Sequence, residues 1–300
     1  MVSKFHTPVL LKETIEFLKV KKGKKYIDAT LGGGGHTEKI IEAGGKVLGI
    51  DCDLDAIEFC SKKFGLELRR EEGAVFAQDK RLTLIWQNFS NLKKIATQFD
   101  FINAAGIVFD LGASSYQLEE GERGFSFNKS GPLDMRMDRR LKVKAADLIN
   151  SLSRRQLEDL FKKFGQEKHY RAIARAMVDS RMTKRIQTTD ELANLIESVV
   201  TRSKNLHPAT RVFMALRIVV NSELENLKQA LPQAVDLLST GGRIAVISFQ
   251  SLEDKTVKLF FKEQRFLSRL TKKPLVPSET EVRENPRSRS AKLRIAEKIH

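Results

Sequence analysis

Cysteine and long apolar runs are both scarce in this chain of 300 residues. The two cysteines, Cys52 and Cys60, cannot form the dense disulfide framework of a small secreted protein. No stretch reaches the roughly 18 consecutive apolar residues that a membrane-spanning helix needs. The segment from Met1 to His6 lacks the apolar run of a secretory signal, so we expect a cytoplasmic protein with no membrane contact.

Metal-ligating side chains are also sparse, whereas positive charge is abundant. The histidines and cysteines show no spacing typical of a metal site, so none is predicted. By contrast, 53 Lys and Arg stand against 38 Asp and Glu, which gives a formal net charge of +15. This charge favours a polyanionic partner such as nucleic acid, because each neutralised phosphate releases counterions. A basic surface that only keeps the protein soluble is the alternative.

Short apolar runs alternate with helical patterns over the first third of the chain. Strands are predicted at 25–30, 46–50, 82–86 and 105–109, with helices at 36–43 and 54–64. Such alternation is typical of a parallel, doubly wound sheet with helices on both faces. Residues 65–80 show no regular pattern, and no element is predicted there.

The pattern changes in the middle of the chain. Residues 145–201 show helical patterning with no convincing strand, and alternation resumes with predicted strands at 241–248 and 293–299. The economical architecture is one α/β domain with a helical insertion. The predicted boundaries are 1–114 for the first part of the α/β domain, 115–208 for the insertion and 209–300 for the second part.

A glycine-rich turn follows the first predicted strand, where open α/β sheets bind their ligands. The sequence DATLGGGGH at 28–36 lets the backbone approach a ligand closely and leads into a helix N-terminus. Gly32 and Gly34 fit the first two positions of the dinucleotide motif G-x-G-x-x-G, but Thr37 occupies the third. Asp51 closes the second strand, where a carboxylate can accept hydrogen bonds from ribose hydroxyls. These features suit either NAD or S-adenosylmethionine.

A second carboxylate ends the fourth predicted strand, in the sequence DLGASS at 110–115. Because the carboxyl ends of parallel strands share one edge of the sheet, we expect Asp110 to face the reacting end of the same ligand. A helix N-cap is the alternative role, for which Asp110, Ser114 and Ser115 all qualify.

These features belong to a series of motifs that together resemble one known family. In chain order the series is the glycine turn, Asp51, DLGASS, GFSF at 124–127, GPLDMRMD at 131–138, HPATR at 207–211, RIVVNSEL at 217–224, SLED at 251–254 and ENPRSRS at 284–290. From HTPVLL at 6–11 to the C-terminus, the chain resembles the bacterial RsmH family, also called MraW. The resemblance implies a Rossmann-like, class I S-adenosylmethionine-dependent methyltransferase sheet with an inserted all-helical domain. It also implies methylation of the N4 amine of a cytosine in the decoding region of 16S ribosomal RNA.

The resemblance assigns ligand contacts as well. Matched residue by residue, the expected contacts of S-adenosylmethionine are Gly34, Gly35, His36, Asp51, Phe89, Asp110 and Gln117. Asp51 is expected at the ribose and Phe89 at the adenine. Without the resemblance, Phe89 is interpreted as a core residue, Gln117 as a solvated loop residue and His36 as structural. Asp110 is also the candidate catalytic residue, expected to orient the cofactor or the amine near the transferred methyl group.

One motif departs from the family pattern. The usual SFHSLED reads SFQSLED at 248–254, so Gln250 stands where relatives have histidine. A glutamine side chain can hydrogen-bond but cannot accept a proton at neutral pH, so we expect at most a positioning role. The segment 266–278 is also shorter than in many relatives, which leaves a loop on the substrate side undefined.

Basic residues concentrate in the predicted insertion. Residues 136–186 contain 15 Lys or Arg and 6 Asp or Glu, a clustering that favours phosphate contact. The target base must leave its stack to reach a buried methyl group, so we expect the insertion to hold the RNA around it. The candidate contacts are Arg136, Arg139, Arg140, Lys162, Lys163, Arg171 and Arg175, with Arg287 and Arg289 near the C-terminus. For any single one of them, an ordinary solvated charge is the alternative.

Three other functions fit parts of the pattern. An NAD-dependent oxidoreductase fits the glycine turn and Asp51 but gives no reason for the charge. An RNA-binding protein without catalysis accounts for the charge but not for the turn. A DNA amino methyltransferase shares the cofactor and reaction, but its usual Pro-Pro-aromatic motif is absent here. The resemblance favours the ribosomal RNA enzyme, with 16S rRNA in the small subunit or a late assembly intermediate as its partner.

Overall fold

The computed structural model describes residues 8–71, 74–201 and 207–300. The chain divides into two units, which we call the sheet unit and the helical unit. The sheet unit contains the residues up to Ser114 together with Leu224–His300, and the helical unit contains Ser115–Glu223. The helical unit thus extends beyond the predicted boundary at residue 208, because the helix Thr210–Val220 packs within it.

One nine-stranded sheet runs through the described part of the sheet unit. In chain order its strands are β1 (Lys25–Asp28), β2 (Lys46–Asp51), β3 (Arg69–Glu71), β4 (Ala74–Gln78), β5 (Leu82–Trp86), β6 (Ala104–Asp110), β7 (Leu238–Ser248), β8 (Leu267–Arg269) and β9 (Lys292–Lys298). Across the sheet the order is β3-β4-β5-β2-β1-β6-β7-β9-β8. The five strands from β5 to β7 are parallel, and the outer strands pair antiparallel. The predicted α/β fold class is confirmed.

Helices surround the sheet and build the helical unit. In chain order they are α1 (Leu11–Leu18), α2 (Gly35–Glu42), α3 (Leu54–Lys63), α4 (Leu92–Gln98), α5 (Ser115–Glu119), α6 (Ala145–Ser151), α7 (Arg154–Lys163), α8 (Tyr170–Thr183), α9 (Thr189–Val199), α10 (Thr210–Val220), α11 (Glu223–Leu237), α12 (Ser251–Glu263) and α13 (Glu279–Glu284). Helices α5 to α10 lie in the helical unit. Within the described residues, no helix is both long and apolar enough to cross a membrane.

The two faces of the sheet bury separate hydrophobic clusters, because successive side chains of a strand point to opposite faces. On β1, Tyr26 packs with residues of α1, α2 and α3, whereas Ile27 packs with residues of α4, α11 and α12. Strands that are buried on both faces need continuous apolar runs, which is why β2 and β6 are visible in the sequence. Helices therefore cover both faces of the sheet, as predicted.

The sequence analysis misses one pair of strands and misplaces the start of another. No element is predicted for residues 65–80, yet β3 and β4 pair antiparallel there. All three residues of β3 are exposed and charged, so no apolar alternation marks this edge strand. The strand predicted at 241–248 begins earlier, at Leu238, and the sheet register shifts where Gly241 adopts a positive φ of 76°.

The long loop of the helical unit is fixed by a motif distant in sequence. The N–H of Met137 donates to Asn221 Oδ1 at 2.7 Å, and Asn221 Nδ2 donates to the carbonyl of Met135 at 2.8 Å. Next to Asn221, the guanidinium of Arg217 forms a bidentate ion pair with Glu223, with both contacts at 2.8 Å. The motifs at 131–138 and 217–224 therefore hold each other in place.

Candidate ligand site and basic surface

The strand order changes direction between β1 and β6, because β2 and β5 extend the sheet on one side and β7 extends it on the other. Such a point opens a crevice at the carboxyl ends of the strands, where α/β proteins bind ligands. Aspartates end the three strands nearest to it, namely Asp28 on β1, Asp51 on β2 and Asp110 on β6. This edge also carries the glycine turn, so the three strand ends and the turn together hold five of the seven predicted cofactor residues.

The glycines of the turn are required by the packing of the protein itself. Gly34 precedes α2 with a φ of +70°, a left-handed conformation that side chains disfavour. A Cβ atom on Gly34 would lie 2.9 Å from the Phe64 ring and 3.0 Å from Cys60 Sγ. A Cβ atom on Gly35 would lie 2.6 Å from Pro8. Neighbouring side chains therefore pack directly against the turn and leave no room for a side chain at Gly34 or Gly35.

Asp51 ties the end of β2 to the glycine turn. Its Oδ2 accepts a hydrogen bond from the N–H of Gly32 at 2.8 Å, and its Oδ1 accepts one from the N–H of Asp53 at 2.9 Å. Burial, and then the nearby charge of Asp53, raise the pKa of Asp51 to about 7. Each carboxylate oxygen has capacity for a second hydrogen bond, so Asp51 can still accept donors from a ligand.

His36 and Asp110 form a buried pair between α2 and β6. His36 Nε2 lies 3.5 Å from Asp110 Oδ2, and the two side chains are only 4% and 6% exposed. Burial disfavours the imidazolium, but the carboxylates of Asp110 and Asp28 outweigh it and raise the pKa of His36 above its ordinary value. His36 Nδ1 is buried and has no hydrogen-bond partner among the described residues. The pair thus favours the positively charged form of His36 and leaves His36 Nδ1 available for a further hydrogen bond.

Asp28 is a functional candidate that the sequence analysis passes over. It is fully buried, and it accepts hydrogen bonds from Thr37 Oγ1 at 2.8 Å and from the N–H of Thr30 at 3.3 Å. Burial raises the pKa of Asp28, while the charge of His36 opposes that rise. The sequence signal that could have identified Asp28 is its position at the end of β1, directly before the glycine turn. Asp28 fixes the first turn of α2 and adds negative charge beside His36.

Phe89 and Gln117, the other two predicted cofactor residues, have different surroundings. Phe89 lies just after β5 in a short 3-10 helix, Phe89–Asn91, and is half-buried. Its ring meets that of Phe109 edge-to-face, with 5.7 Å between the centroids. Phe89 is therefore partly a core residue, as its bare sequence context suggests. Gln117 is buried in α5 of the helical unit.

Gln250 immediately precedes α12 and is 92% buried, since only 8% of its surface is exposed. Its Nε2 donates to Glu253 Oε1 at 3.1 Å. Glu253 also accepts backbone hydrogen bonds from Phe249 at 3.0 Å and from Gln250 at 3.3 Å, both at Oε2. The carbonyl oxygen of the Gln250 side chain, Oε1, is buried and has no hydrogen-bond partner in the described part of the chain.

Three predicted RNA contacts lie in the long loop, and one of them already makes several contacts within the protein. The guanidinium of Arg136 binds both oxygens of Asp134, at 2.6 and 2.8 Å, and also donates to the carbonyl of Leu141 at 2.6 Å. Arg136 is thus a structural residue with little capacity left for phosphate. Arg140 is exposed but pairs with Asp138 at 2.8 Å. Arg139 is exposed.

Four other predicted contacts lie on two packed helices of the helical unit. Lys162 and Lys163 on α7, with Arg171 and Arg175 on α8, are all exposed. Lys162 Nζ and the Arg171 guanidinium lie 5.6 and 5.4 Å from the centre of the Tyr170 ring. We call Lys162, Tyr170 and Arg171 the Tyr170 cluster. Cations around an aromatic ring suit contact with unpaired nucleotides, which offer both phosphates and stacking faces.

The sheet unit contributes a smaller basic segment. Arg287 and Arg289 are both exposed on the 3-10 helix Pro286–Ser290. The buried Ser288 between them donates to the carbonyl of Asn285 at 2.8 Å, which fixes the backbone of the segment. Over the described residues, no three His, Cys, Asp or Glu side chains are grouped so as to hold a metal ion.

Comparisons with known proteins cover nearly the whole chain. A family model described as the MraW methylase family matches residues 3–299. The ribosomal RNA small subunit methyltransferase H of Nostoc punctiforme is 46% identical, over 98% of this chain and 94% of its own. The protein of the same name from Persephonella marina is 44% identical, over 98% of this chain and 99% of its own. A solved rRNA methylase from Streptococcus thermophilus is 12% identical, covers 100% of this chain and 99% of its own, and has a TM-score of 0.46.

Proposed function

The chain belongs to the MraW methylase family, and from that membership we propose that it methylates the N4 amine of one cytosine in the decoding region of 16S ribosomal RNA. The observation that carries the proposal is the group of buried polar side chains at the ends of β1, β2 and β6. In that group, Asp51 and His36 keep unused hydrogen-bonding capacity that a bound ligand can take up.

S-adenosylmethionine is the methyl donor of this family and supplies a methyl group on a positively charged sulfonium. Asp51 would accept hydrogen bonds from its ribose hydroxyls, through the lone pairs that Gly32 and Asp53 leave available. Phe89, one strand further along the same edge, would pack against the adenine. Gly34, Gly35 and His36 would line the side nearest α2. The assignment of Gln117 to this ligand rests on the family resemblance alone.

Asp110 is the residue we propose to act at the reacting end of the ligand. It ends β6, beside β1 at the change of strand order, and its N–H donates to Thr30 Oγ1 at 2.6 Å. A carboxylate held at this point stabilises a neighbouring positive charge and orients N–H donors. The protonated form of His36 would in turn place a positive charge beside the Asp110 carboxylate.

The chemistry requires positioning more than proton abstraction. The exocyclic amine of cytosine is conjugated with its ring and is a weak nucleophile, so its nitrogen must be held in line with the sulfur–methyl bond. The amine loses a proton after the nitrogen–methyl bond has formed, when it has become acidic. A strong general base is therefore not required, and a set of fixed hydrogen-bond acceptors is sufficient.

We further propose that the helical unit contacts the RNA around the target base. The base must unstack to be methylated, at a cost of about a few kcal/mol, and contacts to neighbouring nucleotides can offset that cost. The Tyr170 cluster, together with Lys163 and Arg175, is the most suitable described surface for such contacts, because its cations are exposed. The expected partner is 16S rRNA within the small subunit or a late assembly intermediate, in the cytoplasm.

The test uses small ribosomal subunits from cells that lack this protein, with methyl-labelled S-adenosylmethionine. After reaction, the RNA is digested and the labelled nucleoside is identified. Label in N4-methylcytidine at one position would support the proposal. Label in another nucleoside would contradict the proposed target. Absence of label from both subunits and assembly intermediates, with S-adenosylmethionine still bound, would contradict the proposed substrate.

A further inference from the structure

The side-chain amide of Gln250 has a single defined orientation. Glu253 accepts two backbone N–H groups at its Oε2, so its carboxylate acts as an acceptor. The atom of the Gln250 amide that faces Glu253 Oε1 at 3.1 Å must therefore be the nitrogen, because an oxygen would place two acceptors together. This leaves Oε1 as the atom with no partner in the described chain. A buried, unpartnered carbonyl oxygen is destabilising, and a hydrogen-bond donor on a ligand would remove that cost.

Gln250 lies on the part of the sheet edge that the proposed cofactor residues leave vacant. Apart from Asp110, which ends β6, and Gln117 in the helical unit, those residues follow β1, β2 and β5, whereas Gln250 follows β7, which pairs with β6. Its neighbour Phe249 approaches the segment after Asp110 closely, since a Cβ atom on Gly112 would lie 3.5 Å from the Phe249 ring. Gln250 thus lies on the same side of the sheet edge as Asp110, the residue proposed to act at the reacting end of the ligand.

We infer that Gln250 Oε1 accepts a hydrogen bond from the N4 amine of the target cytosine and so orients the amine nitrogen toward the methyl group. This inference rests on the proposed function and names the residue that recognises the reacting amine. An exocyclic amine carries two N–H donors, and a single fixed acceptor can take one of them. The nitrogen lone pair, which forms the new bond to the methyl carbon, is then directed by the hydrogen bond that Oε1 makes.

The same geometry indicates which replacement of Gln250 would keep the proposed hydrogen bond. A neutral histidine offers one N–H donor and one nitrogen acceptor, and a glutamine amide likewise offers an N–H donor and a carbonyl acceptor. Glu253 would use the donor in either case, and the acceptor would face the amine. Since glutamine does not take up a proton at neutral pH, the position acts as a hydrogen-bond acceptor and not as a base. When the nitrogen–methyl bond forms, the sulfur keeps the electron pair of the broken sulfur–methyl bond, and the acidic methylated amine then releases its proton to solvent water.

The test compares three variants on small ribosomal subunits that lack the methyl group, with N4-methylcytidine as the measured product. Gln250→Leu removes the acceptor, and we expect kcat/KM to fall by about 10- to 100-fold with the S-adenosylmethionine Kd nearly unchanged. Gln250→His restores the acceptor, and its activity should approach that of the wild type at pH 8.5. The matched control is Gln229→Leu, on the exposed face of α11.

The pH profile of Gln250→His distinguishes an acceptor from a purely structural residue. As the pH falls, the imidazole becomes protonated and loses its acceptor nitrogen, so the ratio of variant to wild-type kcat/KM should decrease toward the value for Gln250→Leu. Taking the ratio cancels the titration of groups that both proteins share.

Two results would overturn the inference alone, provided that the wild type makes N4-methylcytidine. One is full activity of Gln250→Leu, and the other is a pH-independent ratio for Gln250→His. If the wild type makes no N4-methylcytidine on any of these substrates, the proposed function fails and the inference fails with it. A melting temperature measured for each variant identifies loss of activity through unfolding, in which case Gln250→His decides the question.

Discussion

The carboxylate of Asp51 accepts a hydrogen bond from the backbone N–H of Gly32 at 2.8 Å, so one side chain joins the end of β2 to the turn that follows β1. This carboxylate is also strongly perturbed, with its pKa raised to about 7 by burial and by Asp53. The Asp51 carboxyl is therefore mostly protonated below pH 6 and mostly ionised above pH 8. Ligand binding at this edge of the sheet should depend on pH for a reason that can be assigned to one residue.

Binding of S-adenosylhomocysteine should strengthen as the pH rises from 6 to 8. Only the ionised form of Asp51 offers all its lone pairs to ribose hydroxyls, and with a pKa of about 7 the ionised fraction rises about tenfold over this interval. Isothermal titration calorimetry at several pH values measures the change. Asp51→Asn should bind about 10- to 100-fold more weakly at pH 8 and lose the rise.

The control for this prediction is Asp100→Asn, which removes an exposed carboxylate whose partner is Lys25. Asp100 has a φ of 56°, a conformation that asparagine tolerates. The affinity of the Asp100→Asn variant for S-adenosylhomocysteine should equal that of the wild type at every pH. Equal pH dependence in Asp51→Asn and Asp100→Asn would contradict the role of Asp51.

Replacement of Asp110 by Asn should lower kcat by about 100-fold or more, because it removes the charge that we propose acts beside the transferred methyl group. It should also lower the pKa of His36, since Asp110 is the main group that raises it. The His36 resonance, followed by NMR against pH, reports this change without any turnover. Turnover near that of the wild type would contradict the proposed role of Asp110.

The same variant should change how stability depends on pH. A histidine whose pKa is higher in the folded state stabilises the fold fully below its unfolded pKa of about 6.5, and that contribution disappears as the pH rises through the folded value. The wild type should therefore lose free energy of unfolding on going from pH 6 to 9. The loss should be smaller in Asp110→Asn, as measured by urea denaturation. An equal loss in both proteins would show that the pair is not coupled.

Gly34→Ala should destabilise the protein more than Gly65→Ala does. Both glycines have positive φ, at 70° and 67°, so alanine is strained to a similar extent at either position, by about 1 kcal/mol. At Gly34 the added methyl would also meet Phe64 at 2.9 Å, whereas nothing lies within 4 Å of the position at Gly65. The difference in the free energy of unfolding thus isolates the packing behind the turn, and we expect about 1–3 kcal/mol. Equal effects would mean that Phe64 moves freely.

Neutralising the Tyr170 cluster should weaken RNA binding in a salt-dependent manner. In the double variant Lys162→Gln with Arg171→Gln, the slope of log K against log salt should decrease in magnitude by about 0.7 for each lost phosphate contact to single-stranded RNA. Arg136→Gln is the contrasting variant, because it breaks the ion pair with Asp134 and should lower the melting temperature while leaving the slope unchanged. Filter binding at several salt concentrations measures the slope. An unchanged slope in the double variant would remove the cluster from the RNA contacts.

The central strands could be predicted from the sequence because burial on both faces leaves a continuous apolar signal. β2 and β6 carry such runs, and the acidic residue that ends each of them follows directly. The hairpin of β3 and β4 could not be predicted, because it lies at the edge of the sheet. The residues of β3 are exposed and charged there, so no apolar alternation marks the strand. The helical unit begins at Ser115 in the structure, and its end depends on packing by α10 that no local pattern reveals.

The candidate site shows a similar division. The positions of Asp51 and Asp110 are predictable, since each ends a strand with a continuous apolar run, and their roles stay predictions. The structural role of Arg136 could not be predicted from the sequence. An arginine two residues from an aspartate is typical of a charged surface, and only the structure shows the ion pair between Arg136 and Asp134. The unpartnered oxygen of Gln250 could not be predicted from the sequence either, since it depends on the hydrogen bond that orients the Gln250 amide toward Glu253.

The insertion also has a consequence for how the chain assembles during synthesis. The central strands β6 and β7 pair directly, although more than a hundred residues separate them along the chain. At about 5–20 residues per second, β7 leaves the ribosome roughly 6–25 s after β6. During that interval the edge of β6 that later pairs with β7 has no partner strand, and such an open edge favours aggregation. Early folding of the helical unit would shorten the effective loop between the two strands and so lower the entropic cost of closing the sheet.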